Sequence, residues 1–382
     1  MIEPRFFYES LASRGVDFFT GVPDSLLKHF CAYITDHAAD ERHIIAANEG
    51  AAVALAAGYH LATNKIPLVY MQNSGIGNAV NPLLSLADPD VYRIPLTLVI
   101  GWRGQPGAPD EPQHAKQGKV TVPLLESMGI PYVIMADNES ALGEQIELCY
   151  EKIAETGGQF AFVVRKDIFA PYGLQKKRDI EAEMTREEAI EEIVAASGKD
   201  EIFVSTTGMA SRELYEIRDK RREGHERDFL TVGSMGHASS MALSIALQKP
   251  TLNVTCLDGD GALLMHMGAL AAIGARKPRN FRHIALNNGA HDSVGGQPTI
   301  AADIDLPAVA RACGYEHTHR VRTKADLRTA LAENSAEQEA ARHALAFIEV
   351  RVKKGARKNL GRPKTSPIEN KTAFMRHIGE QV

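Results

Sequence analysis

Along the chain, short unbroken apolar runs alternate with longer stretches in which apolar residues recur every third or fourth position. The runs read as buried strands and the periodic stretches as helices. In the first half, strands are expected in DFFTG (17–21), HIIAA (43–47), PLVYM (67–71), PLTLVIG (95–101), PYVIM (131–135) and FAFVV (160–164). Between them, EGAAVALAAGYHLAT (49–63) is Ala-rich with helical spacing, and SALGEQIELCYEKIAETGG is amphipathic and stops at glycines. The pattern restarts after a polar, charged segment, YGLQKKRDIEAEMTREE (172–188). Its second round has IFVST (202–206), FLTVG (229–233), LNVTCLD (252–258), HIALN (283–287) and ALAFIEVRV (344–352). Strands alternating with helices predict parallel sheets covered by helices on both faces. The expected fold class is α/β: two doubly wound parallel-sheet domains of similar plan, at 1–171 and 185–382, joined by a linker over 172–184. The C-terminal stretch GARKNLGRPKTSPIENKTAFMRHIGE suits either an ordered arm or a flexible end.

Length and composition agree with this picture. A chain of 382 residues is long enough for two domains, each with its own core. It is 44% hydrophobic and 24% charged, as soluble globular proteins are. A formal charge of -5 argues against nucleic acid as a partner, because phosphate backbones call for a basic face. No apolar run approaches the roughly 20 residues that span a bilayer, so no membrane partner is expected. The start, MIEPRFFYESLASRG, has an early acid and no long apolar core, so no secretory signal is expected. Cys31, Cys149, Cys256 and Cys313 are far apart and form no CxxC pattern. They read as free thiols of a reducing compartment, which points to the cytoplasm.

The chemistry concentrates in CLDGDGALLMHMGALAAIGARKPRNFRHIALNNGAHD (256–292). A glycine-rich turn between a strand and a helix offers free N–H groups to a phosphate. A dinucleotide fingerprint would need glycine at 264, where Leu264 stands. Asp260 would repel a pyrophosphate unless a divalent cation lay between them. Magnesium fits that place, since it is a hard ion usually shared between a few protein oxygens and substrate phosphates. In parallel sheets, ligands bind beyond the carboxyl ends of the strands. Asp260 and Asn288 are both expected at such ends, on neighbouring strands, with 25 residues between Gly261 and Asn287. Either motif alone is an ordinary turn sequence. Together, across a strand–helix–strand, they read as a metal–diphosphate site.

This pair resembles the motif of the thiamin diphosphate-dependent enzymes, GDG followed at this distance by NN. The resemblance implies Mg2+ held by Asp260, by the Asn288 side chain and by the carbonyl of Ala290. Gly259, Gly261 and Ala262 would border the diphosphate. The same family uses a glutamate in its other domain to protonate the aminopyrimidine of the cofactor. Glu49, ending a strand and opening the Ala-rich helix, is similar in setting. The segment VGSMGHASSMALSIAL (232–247) resembles the one that shapes the cofactor, with Gly233 and Ser234 flanking Met235 beneath it. The first half is thus identified as the pyrimidine-binding domain and the second as the diphosphate-binding domain, without the central third domain of many members. Compact members of this kind bind the cofactor between subunits, so a homodimer or higher homo-oligomer is implied.

Within the family, the strings GVPDSLL (21–27), GWRGQPGAPDEPQHAKQG (101–118), NNGAHDSVGGQPT (287–299) and GRPKTSP (361–367) resemble the branch that decarboxylates phosphonopyruvate. That anionic 2-oxo acid calls for cations, and Arg103, His114, Lys116 and Arg362 lie in these strings, which are expected to be loops. Asp24 matches the place of an active-site acid in related decarboxylases and is the candidate proton relay, with Ser25 and His291. The acid that pyruvate decarboxylases carry six residues after the second Asn is replaced by Val294, which argues against pyruvate. The rivals are a sulfopyruvate decarboxylase and a catalytically silent cofactor-binding subunit; intact Glu49, Asp260 and Asn288 count against the latter.

Overall fold

The computed structural model describes residues 1–176, 178–199, 201–340 and 344–380. It divides into two compact units, Met1–Lys177 with Ser293–Pro298, and Arg178–Asp292 with Thr299–Val382. The short return of 293–298 to the first unit departs from the expected boundary. Its anchor is Gln297, whose Nε2 donates to the Lys28 carbonyl at 3.3 Å.

The first unit runs α1 (Pro4–Ala12), β1 (Phe19–Gly21), α2 (Lys28–His37), β2 (His43–Ile45), α3 (Glu49–Thr63), β3 (Leu68–Gln72), α4 (Ile76–Ser85), β4 (Leu96–Gly101), α5 (Pro112–Ser127), β5 (Tyr132–Ile134), α6 (Glu139–Thr156) and β6 (Gln159–Val164). Its sheet has the order β2-β1-β3-β4-β6-β5, with parallel pairing. One face buries Phe7, Phe30, Phe160 and Phe162; the other buries Ala52, Val53, Val69 and Leu98. Both ends of α3 are fixed locally. The Asn48 side chain accepts a hydrogen bond from Ala51 N at 2.9 Å, and Asn64 leaves the helix in the left-handed region.

The second unit runs α7 (Arg186–Ala196), β7 (Glu201–Ser205), α8 (Met209–Arg221), β8 (Asp228–Leu230), α9 (Ala238–Gln248), β9 (Asn253–Gly259), α10 (Asp260–Met265), α11 (Ala269–Arg276) and β10 (Phe281–Asn287). It continues with the two-residue strands β11 (Ala290–His291) and β12 (Gln297–Pro298), the latter within the segment returned to the first unit. Then come α12 (Leu306–Cys313), β13 (His317–Val321), α13 (Lys324–Ala340), β14 (Ala346–Arg351) and α14 (Pro367–Glu380). The sheet order is β13-β14-β10-β9-β7-β8, again parallel. α7 opens on a capping box between Thr185 and Glu188. The C-terminal helix is ordered against the sheet edge. Asn370 Nδ2 donates to Asp228 O at 2.8 Å, Leu230 N donates to Asn370 Oδ1 at 3.1 Å, and Phe374 packs on Phe229.

The two sheets share one plan. Each first strand is followed by a neighbour on one side and then by a crossover to the other side. That reversal opens a crevice at the carboxyl ends, between β1 and β3 in one unit and between β7 and β9 in the other. Two expectations need correction. HTHRV (317–321) is a strand that carries no apolar run; it lies at the sheet edge with four of five residues only half-buried. The string 101–118 is a loop only to Glu111, because Pro112 starts α5 at the position where a missing N–H costs nothing.

Candidate active site

In the first unit the chemistry lies where strands end. Glu49 is the first residue of α3 and is buried; its Oε2 accepts from Asn78 Nδ2 at 2.8 Å. Gly75, just after β3, lies so close that a Cβ there would collide with the Glu49 carboxyl group. Asp24, after β1, is fully buried. Its Oδ2 accepts from Leu26 N at 2.8 Å, and its Oδ1 has no hydrogen-bond partner among the described residues. A Cβ on Gly101, the last residue of β4, would collide with this second carboxylate. Burial pushes the Asp24 pKa up from 3.8 to about 6, against the opposing pull of the Leu26 N–H and of Arg103.

Arg103 joins this group through Ser25, whose Oγ accepts from Nη1 at 2.7 Å. The rest of its guanidinium is committed to Asp110: Nε donates to Oδ2 at 2.8 Å and Nη2 donates to Oδ1. Asn73 fixes the Arg103 backbone from both sides, donating to its carbonyl at 2.8 Å and accepting its N–H at 3.2 Å. His114 is buried near Arg103 with Nδ1 unpaired; burial, with help from that charge, lowers its pKa. The ring therefore holds a proton less readily than an ordinary histidine does. Lys116 sits two residues on along α5 with its side chain exposed, away from the buried His114 face. Arg362 is exposed in the second unit. The four expected cations do not form one cluster within a unit.

In the second unit the turns that carry the expected pair are neighbours. Gly259 at the end of β9 faces Leu286 of β10, which puts Asp260 and Asn288 at adjacent strand ends. Asp260 is buried, and its Oδ2 accepts from Thr299 Oγ1 at 2.5 Å. Thr299 N also donates to Gly289 O at 3.0 Å, so one residue ties both turns together. Asn288 is buried and its Oδ1 accepts from Ala290 N at 3.0 Å. Burial raises the Asp260 pKa to about 6. A buried carboxylate at the mouth of a crevice, with no basic side chain among the described residues bonded to it, suits a divalent cation. The donor set is all hard oxygen: carboxylate, amide and the Ala290 carbonyl.

Met235, Gly261 and His291 also come together. A Cβ on Gly261 would lie 3.1 Å from the His291 ring and 3.3 Å from the Met235 methyl. Gly233 and Ser234 precede Met235 in the loop after β8, with Ser234 at φ 52°. Ala262 is buried in the first turn of α10. Burial pushes the His291 pKa down to about 4, so its imidazole is neutral at neutral pH. The same physics raises Asp24 and lowers His291, so Asp24 is the one of the two that lies nearer its midpoint at neutral pH.

One further candidate is not among the residues expected from the sequence. Thr206 follows β7, beside Gly259, and its buried Oγ1 has no partner among the described residues. Gly208, at φ 97°, then turns the chain into α8. This TTGMAS segment carries the same strand–glycine–helix signal as the turn at 259–261 and belongs at the same crevice. The start of α8, which has no side-chain cap, and the Thr206 hydroxyl suit phosphate oxygens.

Two family models match the chain: the N-terminal thiamine pyrophosphate-binding domain of thiamine pyrophosphate enzymes over residues 5–123, and the C-terminal one over residues 206–350. A phosphonopyruvate decarboxylase of Streptomyces viridochromogenes is 35% identical, covering 94% of this chain and 90% of its own. One from Streptomyces hygroscopicus is 36% identical, covering 97% and 92%. A sulfopyruvate decarboxylase of Methanosarcina acetivorans is 30% identical, covering 91% and 90%.

Proposed function

The chain belongs to the thiamine pyrophosphate enzyme family, and from that premise we propose that it converts 3-phosphonopyruvate to phosphonoacetaldehyde and CO2, using thiamin diphosphate and Mg2+. The observation that carries the reading is the placing of Asp260 and Asn288 at adjacent strand ends, with Thr299 bonded both to Asp260 and to Gly289, the neighbour of Asn288. The higher identity to phosphonopyruvate than to sulfopyruvate decarboxylases supports the substrate.

Asp260, the Asn288 amide and the Ala290 carbonyl would hold the cation. Thr206 and the N–H groups around Gly208, Gly259 and Gly261 would hold the diphosphate. Met235 would support the ring system from below, and Glu49 would hold a proton at the aminopyrimidine. Bound there, the cofactor supplies a nucleophilic carbon and a sink for the electrons left as CO2 departs. The remaining work falls to the chain. Asp24, near pKa 6, exchanges both ways at neutral pH and delivers the proton that replaces CO2, with Ser25 beside it. Arg103 offers a planar fork to the phosphonate, and binding there exchanges Asp110 for substrate oxygens. His114 contributes hydrogen bonding. Lys116 and Arg362 are exposed and would draw the anion in from solvent. The cofactor would lie between the first unit of one subunit and the second unit of another, in a cytoplasmic homodimer or larger assembly. Among the described residues no helix is long and apolar enough to cross a membrane.

The test is CO2 release by the purified protein with Mg2+ and thiamin diphosphate. The specificity constant for phosphonopyruvate should far exceed those for sulfopyruvate and pyruvate. Equal constants would refute the substrate, and no release from any of the three would refute the decarboxylase.

A further inference from the structure

Glu349 is a fully buried carboxylate on the inner strand β14, facing Ala285 of β10. Its Oε2 accepts from Arg320 Nε at 2.6 Å. Its Oε1 accepts from Arg351 Nε at 3.4 Å and from Asn287 Nδ2 at 2.8 Å. Asn287 is itself fully buried, and its Nδ2 also donates to Ala301 O at 3.2 Å. Its Oδ1 accepts from Gly289 N at 2.9 Å, which folds the chain back at φ +66° and presents Asn288 and Ala290.

An amide has nearly the same shape in either of two orientations, and hydrogen bonding selects between them. Reversed here, the Asn287 amide would set its N–H groups against the Gly289 N–H and its oxygen against Glu349 and the Ala301 carbonyl. Burial leaves no water to relieve either clash. We infer that Glu349, fixed by Arg320, is a positioning residue: it locks the Asn287 amide and thereby shapes the Asn288–Ala290 turn for the cation. The inference rests on the cation reading above. It reaches a residue more than 60 positions away, on another strand.

The test titrates thiamin diphosphate retention against Mg2+ by equilibrium dialysis of the whole chain, with turnover read separately. Asn287→Asp removes the donor and sets two carboxylates face to face. The Mg2+ concentration for half-retention should rise roughly ten- to a hundred-fold, the usual cost of losing an outer-shell partner. Glu349→Gln keeps the size but weakens one of the three contacts that select the amide's orientation, leaving those to Gly289 and Ala301, so half-retention should also rise, by less. In the double variant the introduced amide donates to the introduced carboxylate across the same gap, and half-retention should return toward wild type. A role in packing alone would not produce that reciprocal rescue. If either single variant fails to fold, the other and the double variant still decide. Wild-type half-retention in the folded single variants, or a double variant no better than the worse single, overturns the inference. A wild-type protein that retains no thiamin diphosphate at any Mg2+ concentration overturns the cation reading, and this inference with it.

Discussion

Asp24 is enclosed on all sides and, among the described residues, lacks a partner for one oxygen, so its charge is costly. Its folded pKa of about 6 exceeds the 3.8 of an ordinary aspartate. The folded state therefore binds this proton more tightly than the unfolded chain, and stability declines as pH rises from about 4 through about 6. Asp24→Asn is neutral throughout. Its melting temperature should exceed wild type at pH 7.5, the gain should vanish near pH 4, and the limit from two pKa units is about 3 kcal/mol. The same substitution should slow turnover and erase a limb of the pH–rate profile near 6. Thermal melts at the two pH values check the stability claim; equal differences at both would show that Asp24 titrates normally. The residue is legible in GVPDS, but its pKa is not, because the pKa comes from enclosure by side chains distant in sequence. Asn78 on Glu49 and Thr299 on Asp260 were hidden for the same reason: each is an ordinary polar residue whose value lies in its three-dimensional neighbour.

Elements place these groups by ending where they do. β3 and β4 run side by side, with Gln72 facing Gly101, and each delivers a glycine against a carboxylate. Gly75 backs Glu49 and Gly101 backs Asp24, both with no room for a methyl group. Gly75→Ala should displace the Glu49 carboxyl group and Gly101→Ala that of Asp24. For each, turnover should fall at least tenfold while most of the melting temperature is retained, since a side chain moves more cheaply than a buried strand. Parallel activity assays and melts check this; full activity in either variant would mean the carboxylate in question is not working from that position. At this scale the apolar runs were a sound guide, because buried parallel strands must be apolar on both faces. The guide fails at β13, an edge strand built from HTHRV, and at α5, whose polar, glycine-containing start has the pattern of a loop. In both, the neighbours supply the order that local hydrophobicity does not.

For the molecule as a whole, the repeated strand order was legible as two rounds of one pattern, yet the two rounds carry different halves of the proposed site. Glu49 and Asp24 belong to the first unit; Asp260, Asn288 and Thr206 belong to the second. A cofactor that needs both halves must take them from one chain or from two. We propose two, and the alternatives separate cleanly. Glu49→Gln and Asp260→Asn should each abolish turnover, the first while retaining cofactor. Unfolded together in equal amounts and reassembled as dimers, about half of the pairs are hybrids. If each site draws its first unit from one chain and its second from the partner, one site of every hybrid combines two lesions and the other combines none. Activity should then recover to about a quarter of wild type, the share of sites left intact under random pairing. If each site is built within one chain, every site in the mixture carries a lesion and no activity returns. Sedimentation of the same mixture shows whether dimers form; a monomeric chain, or a dimeric mixture without activity, would place the whole site within one polypeptide.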